Sequence, residues 1–185
     1  HIVLGDAAGG GTDILARMVA QKLTERWNRP VLVENRTGAG GSIALDYVAQ
    51  AAPDGHVLLA GNLGLIGTAS LLGKVRFDVR AAYAPVVLTD NQPYLLVVAP
   101  SLNVASVRAL VDFAKAKPRA LTYASSGNGS TSHLGMELFK SIAGIDLVHV
   151  PYKGIGQGIV DLIGGQIDVL FGSALSCAPY MKSGK

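Results

Sequence analysis

Short β-branched runs alternate with stretches of 3.6-residue helical period along the whole chain, and this rhythm constrains the fold more than any other feature. The run Ile2–Leu4 leads through Gly9-Gly10-Gly11-Thr12 into a helix whose apolar positions are Ile14, Leu15, Met18, Val19, Leu23 and Trp27, with Thr12 or Asp13 as its cap. Asn28-Arg29-Pro30 ends that helix, Val31–Val33 is the next strand, and Gly38-Ala39-Gly40-Gly41-Ser42 opens a second helix to about Ala51. Val57–Ala60, Pro85–Thr89, Tyr94–Ala99, Leu121–Ala124, Leu147–Val150 and Ile167–Phe171 read as further strands. Helices are expected over Gly67–Leu72, after Ser106, through Leu134, Leu138 and Ile142, through Ile159, Val160 and Ile163, and over Ser176–Lys182. Repeated βα units of this kind build mainly parallel sheets with flanking helices. The series restarts after a crossover at Asp90–Pro93, so the chain is expected to hold two α/β domains, residues 1–91 and 92–185.

Composition removes several classes of function. Apolar residues make up 49% and charged residues 16%, against about 25% charged in an average soluble protein, so the chain is not disordered. Every apolar run is interrupted before the roughly 18 residues a membrane span needs. The net charge of +3 is spread without basic runs, which argues against a nucleic-acid partner. One cysteine, Cys177, leaves no intrachain disulfide and reads as a small buried hydrophobe. His1, His56, His133 and His149 lack metal-ligand spacing, so neither a metal nor another cofactor is expected. The first residues already lie in a strand-like run, with no signal-peptide pattern before them, and the chain stops on Ser183-Gly184-Lys185. Both ends therefore read as cut.

The 23 glycines gather where chemistry in such a fold belongs. Loops leaving the carboxyl ends of parallel strands meet on one edge, and ligands bind there. The candidates are Gly5–Thr12, Gly61–Gly67, Ser125–Thr131, Tyr152–Gly156 and Gly172–Ala174, all rich in glycine and hydroxyls. They would present backbone N–H groups at helix N-termini, which suits a carboxylate or phosphate. A tight turn with an N-cap explains any one of them; five on one edge point to a binding site. Neither GxxxxGK[ST] nor GxGxxG is present, which disfavours phosphate. No GxSxG elbow is present either, and Ser130 and His133 stand at capping distance. A small α/β hydrolase or transferase using Ser130 and His133 is the competing reading, and a sensor module for a membrane partner is a third.

The ordered stretches Gly9-Gly10-Gly11-Thr12-Asp13-Ile14-Leu15-Ala16-Arg17, Val33-Glu34-Asn35-Arg36-Thr37-Gly38-Ala39-Gly40-Gly41, Ala52-Pro53-Asp54-Gly55, Tyr123-Ala124-Ser125-Ser126-Gly127-Asn128-Gly129 and His149-Val150-Pro151-Tyr152-Lys153-Gly154 resemble the substrate-binding receptors of tripartite tricarboxylate transporters, the Bug proteins. The resemblance implies a type II periplasmic-binding-protein fold, two α/β domains with a ligand cleft between them. It implies a monomeric, periplasmic, non-enzymatic receptor that hands a small carboxylate, an organic acid or acidic amino acid, to membrane permease subunits. Carried over by motif, ligand contacts fall on Gly10, Gly11, Thr12 and Asn62 in the first domain. In the second they fall on Ser126, Gly127, Ser130, Thr131, His133 and Gly154. Two departures border the cleft: Gly5-Asp6-Ala7-Ala8 where the family has Pro-Phe-Pro-Pro, and Gly172-Ser173 where Asp-Asn often stands. Asp6 is expected either to cap local N–H groups or to stand at the cleft mouth and repel a second anionic group on the ligand.

Overall fold

The computed structural model describes residues 1–69, 71–72 and 75–183. Two separate sheets divide the chain. The first has three parallel strands in the order β2-β1-β3, with β1 at Ile2–Leu4, β2 at Val33–Asn35 and β3 at Leu58–Leu59. The second has the order β4-β7-β5-β6, with β4 at Tyr94–Val98, β5 at Thr122–Ser125, β6 at Val148–Pro151 and β7 at Val169–Ser173. There β5 runs parallel to β6 and β7, and only the β4–β7 pair, Tyr94 opposite Ser173, is antiparallel.

Each sheet is covered on both faces. All three β1 residues are buried, as a central strand of a parallel sheet requires. Ile2 and Leu4 pack on Ala16 and Ala20 of α1 (Gly11–Trp27), while the opposite side is closed by Leu45 of α2 (Ser42–Ala49), Leu65 and Ala69 of α3 (Leu63–Ala69) and Val79 of α4 (Val79–Ala82). In the second sheet the period of two sorts neighbours to opposite faces. Tyr123 and Val169 join Leu110 of α5 (Val107–Ala116) and Met136 of α6 (Thr131–Ala143); Ala124 and Leu170 join Ile159 and Leu162 of α7 (Ile155–Ile163) and Cys177 of α8 (Ala174–Lys182). Cys177 is the buried hydrophobe its sequence context suggested, and burial pushes its thiol pKa up.

The expected elements are present with shifted edges and some changed faces. Strands at 31–33, 121–124, 147–150 and 167–171 move one or two residues later. The helix expected over Gly67–Leu72 begins at Leu63, because Asn62 accepts the Leu65 N–H at 2.9 Å as an N-cap; Ser70 lies outside the described residues. The stretch Pro85–Thr89 is no strand: it has no ladder partner among the described residues, and Val86, Val87 and Leu88 stand in solvent. Neither Thr12 nor Asp13 caps α1. Gly10 holds the N-cap position, which frees both side chains for other work. On α1 the buried line is Gly11, Asp13, Ala16 and Ala20, so the small residues face the sheet and let the helix approach it, and Met18 and Trp27 turn outward. On α6, Leu134, Leu138 and Ile142 are exposed, while Ser132, Met136, Phe139 and Ala143 face the core.

Candidate functional site

The segment 90–93 leads from the first sheet's half of the chain into the second sheet. Gln92 anchors it, with Oε1 accepting the Leu175 N–H at 3.0 Å, and the Pro93 carbonyl accepts the Ala174 N–H at 3.0 Å. This segment is thereby fixed to the first turn of α8. Three seams then join the two halves. Ala7 donates its N–H to the Lys153 carbonyl at 3.1 Å; Thr68 donates to the Gly129 carbonyl at 2.8 Å; Gly64 donates its N–H to Thr131 Oγ1 at 3.2 Å.

Glycine permits these contacts. A Cβ on Gly154 would sit 2.7 Å from the Ala7 Cβ, and one on Gly64 would sit 2.4 Å from the Thr131 backbone nitrogen. Both are closer than any side chain allows, so the halves meet backbone to backbone. The same packing sets α7 against the loop before α1, where a Cβ on Gly156 would lie 3.2 Å from the Ala8 carbonyl oxygen. The N-terminal turns of α1, α6 and α7 consequently converge on one small region, and each carries the partial positive charge of a helix start.

The expected contact residues fall along this seam and in the loops beside it. Gly10 and Gly11 are buried at the start of α1, with Gly11 against the Ser173 hydroxyl. Thr12 hydrogen-bonds the Asp6 carboxylate. Asn62 donates from Nδ2 to Asp6 Oδ2 at 3.3 Å and accepts from Thr131 Oγ1 at 3.3 Å, and Thr131 also hydrogen-bonds the Tyr94 hydroxyl. Ser130 caps α6 by accepting the His133 N–H at 3.3 Å. Ser126 shares Ser132 Oγ with Ser130, and Gly127, at φ +119°, packs on the Tyr152 carbonyl. Gly154 closes on Ala7.

His133 stands on the first turn of α6, beside Ser130. Its Nδ1 accepts the Gly129 N–H at 3.1 Å, and its ring stacks on His149 at 4.3 Å. The Ser130 hydroxyl meets the His133 backbone, an arrangement that caps a helix and does not activate a nucleophile. A serine–imidazole pair does occur elsewhere: Ser125 Oγ lies 2.6 Å from His149 Nε2, and Ser125 is fully buried. Burial, with His133 alongside, pushes the His149 pKa down to about 4, so the imidazole is neutral near pH 7.

Several working residues were not among the expected contacts. Asp13, 3% exposed, accepts from Gly9 N–H, Arg17 Nε and Asn35 Nδ2 at 2.9–3.0 Å and pairs with Arg17 at 2.9 Å. Burial alone would raise its pKa; the bonds from Arg17, Asn35 and Gly9 outweigh that and hold it low. This brace fixes the glycine loop to β2, since Asn35 also donates to the Asp6 carbonyl at 2.9 Å. The motif residues Asp13, Arg17 and Asn35 were all legible; their convergence was not. Among the described residues no cluster of His, Cys, Asp and Glu is placed to hold a metal, and no helix is long and apolar enough to cross a membrane.

The sequence pattern of the TctC family, described as the tripartite tricarboxylate transporter family receptor, matches residues 15–185. The chain belongs to this family. BugT of Bordetella pertussis is 35% identical over 178 residues, covering 95% of this chain and 55% of that protein. A Rhodopseudomonas palustris protein solved with adipate is 34% identical with a TM-score of 0.88, covering 99% of this chain and 62% of that one. MatC from the same organism, solved with bound malate, is 29% identical with a TM-score of 0.92, covering 99% and 63%. The fold is that of these periplasmic binding proteins. The chain spans about half the length of the curated relatives it matches.

Proposed function

We propose that this chain is the ligand-capturing part of a periplasmic receptor that binds a small organic carboxylate and passes it, chemically unchanged, to the membrane permease of a tripartite tricarboxylate-type transporter. The observation that carries the reading is the convergence of the α1, α6 and α7 N-termini at a seam lined by glycines and hydroxyls. Adipate and malate in the solved relatives are small carboxylates, which supports the same class here.

In this reading residues 1–91 and 92–185 are the two lobes of one monomer. Gly10, Gly11, Thr12 and Asn62 face the ligand from the first lobe, and Ser126, Gly127, Ser130, Thr131 and Gly154 from the second. His133 supports the second-lobe loop through the Gly129 N–H. Helix dipoles and hydroxyls hold an anion without supplying a nucleophile or a proton, so the site binds and does not turn over.

A thermal-shift screen of small organic acids tests this. A ligand that binds only the folded form raises the melting temperature, by the equivalent of about 2.7 kcal/mol at a hundredfold excess over Kd. At least one acid should do so and be recovered intact by mass spectrometry. Conversion of the acid to a product, or a flat response across the panel, would contradict the proposal.

A further inference from the structure

We infer that Asp6 sets the charge of the ligand: the bound molecule turns its carboxylate to the second lobe and a cationic nitrogen to Asp6, as a zwitterionic amino acid does. The inference rests on the receptor reading above and narrows its ligand class.

In the first lobe, two side-chain donors facing the seam are already committed to a carboxylate belonging to the chain itself. Thr12 and the Asn62 amide nitrogen both hydrogen-bond Asp6, the latter at 3.3 Å. The amide is not free to turn round, because Asn62 Oδ1 is held by the Leu65 N–H at 2.9 Å and the Thr131 hydroxyl at 3.3 Å, and this leaves Nδ2 facing Asp6. Asp6 therefore sits at one end of a hydrogen-bonded line, Asp6–Asn62–Thr131–Tyr94, that crosses from one lobe to the other through residues assigned to the ligand.

No cationic side chain pairs with Asp6 among the described residues. Arg17 is spent on Asp13, and the Asp13 charge adds to that of Asp6. Burial raises the Asp6 pKa, which is the mark of a carboxylate short of a counter-charge. A second ligand carboxylate placed here would meet a like charge; an ammonium would supply the missing one. The second lobe offers the α6 and α7 starts to the ligand's own carboxylate. Among the described residues the Asp6 carboxylate meets the side chains of Thr12 and Asn62, which favours the cleft-facing alternative over a cap.

Isothermal titration at pH 7.5 tests this with alanine, β-alanine, γ-aminobutyrate, succinate, glutarate and butyrate, on the protein and on Asp6→Asn. An amino acid should bind the unaltered protein about tenfold or more tightly than the dicarboxylate of matching length, and Asp6→Asn should shrink that ratio by about tenfold. Asp6→Ser gives the same reading should the amide variant not fold. Preference for the dicarboxylates, or a ratio that Asp6→Asn leaves unchanged, overturns the inference. Binding of butyrate with neither of the other classes overturns it and leaves the carboxylate-receptor reading intact. Binding of no carboxylate overturns both.

Discussion

Asp6, in the loop before α1, and Asp13, in the first turn of α1, stand seven residues apart and titrate in opposite directions, which gives this stretch of chain two pH signatures of opposite sign. Asp13 is held below its ordinary range, so its contribution to stability is complete above about pH 4, the unfolded value, and is lost as pH falls through the lower folded value. Asp6 is raised, so the folded chain holds its proton more tightly and stability declines as pH rises above about 4. Asp13→Ala removes the partner of Arg17, Asn35 and the Gly9 N–H together. Because Arg17 is half-exposed and solvent-screened, the expected cost is about 2–3 kcal/mol, read by urea unfolding. Asp6→Asn, which removes a partly desolvated charge, should raise the melting temperature of the unliganded protein at pH 7.

His149, stacked between Tyr123 and His133 with Glu137 and Lys140 nearby, adds a third signature. Its folded pKa of about 4 lies below the unfolded value of about 6.5. The unfolded chain binds the extra proton between those limits, so this stabilisation is complete above pH 6.5 and is lost as pH falls toward 4. Melting temperature should fall across that window, and His149→Gln should fall less steeply; parallel curves for the two proteins would refute the assignment.

Among the secondary elements, α6 shows most plainly what the sequence could not decide. Its thirteen residues carry two apolar lines at helical spacing, Leu134-Leu138-Ile142 and Met136-Phe139-Ala143, and periodicity scores both. Only the second meets the sheet. Gly135 lets the helix come within contact of Phe171, which selects that face. The expected outcome is unequal sensitivity. Met136→Ala, at a fully buried site, should cost about 2–4 kcal/mol. Leu138→Ala, 61% exposed, should stay within about 0.5 kcal/mol by the same denaturation assay.

Caps were legible where the side chain is the cap: Ser106 accepts the Ala109 N–H at 3.1 Å as its position before an apolar run implied, and Ser106→Ala should cost about 1 kcal/mol. They were misread at α1, where Asp13 turns back to brace the loop and Gly10 takes the N-cap place. The apolar stretch at 85–89 reads as a strand on β-propensity alone, yet propensity does not supply a neighbour to pair with.

Across the whole molecule, the two-sheet architecture and the glycine-rich loops proposed as the site followed from the βα rhythm and the placement of glycine, because both are local properties of the chain. What the sequence withheld is which loop meets which. Asn62 and Thr131 are 69 positions apart, and Gly64 meets Thr131 across nearly the same span. These pairings decide closure. Gly64→Ala would push a methyl group into the Thr131 backbone, so ligand affinity should fall by about tenfold or more. Unchanged affinity in isothermal titration would refute a part for this contact in binding.

The central claim, that the joined helix starts of the two lobes seat a carboxylate, is tested most directly by isothermal titration of one ligand in two forms, the acid that binds best and its primary amide. Each charge-assisted hydrogen bond lost should cost about 1.5–3 kcal/mol, so the amide is expected to bind at least about tenfold more weakly, with the difference shrinking in Thr131→Ala. Equal affinity for acid and amide would contradict the account.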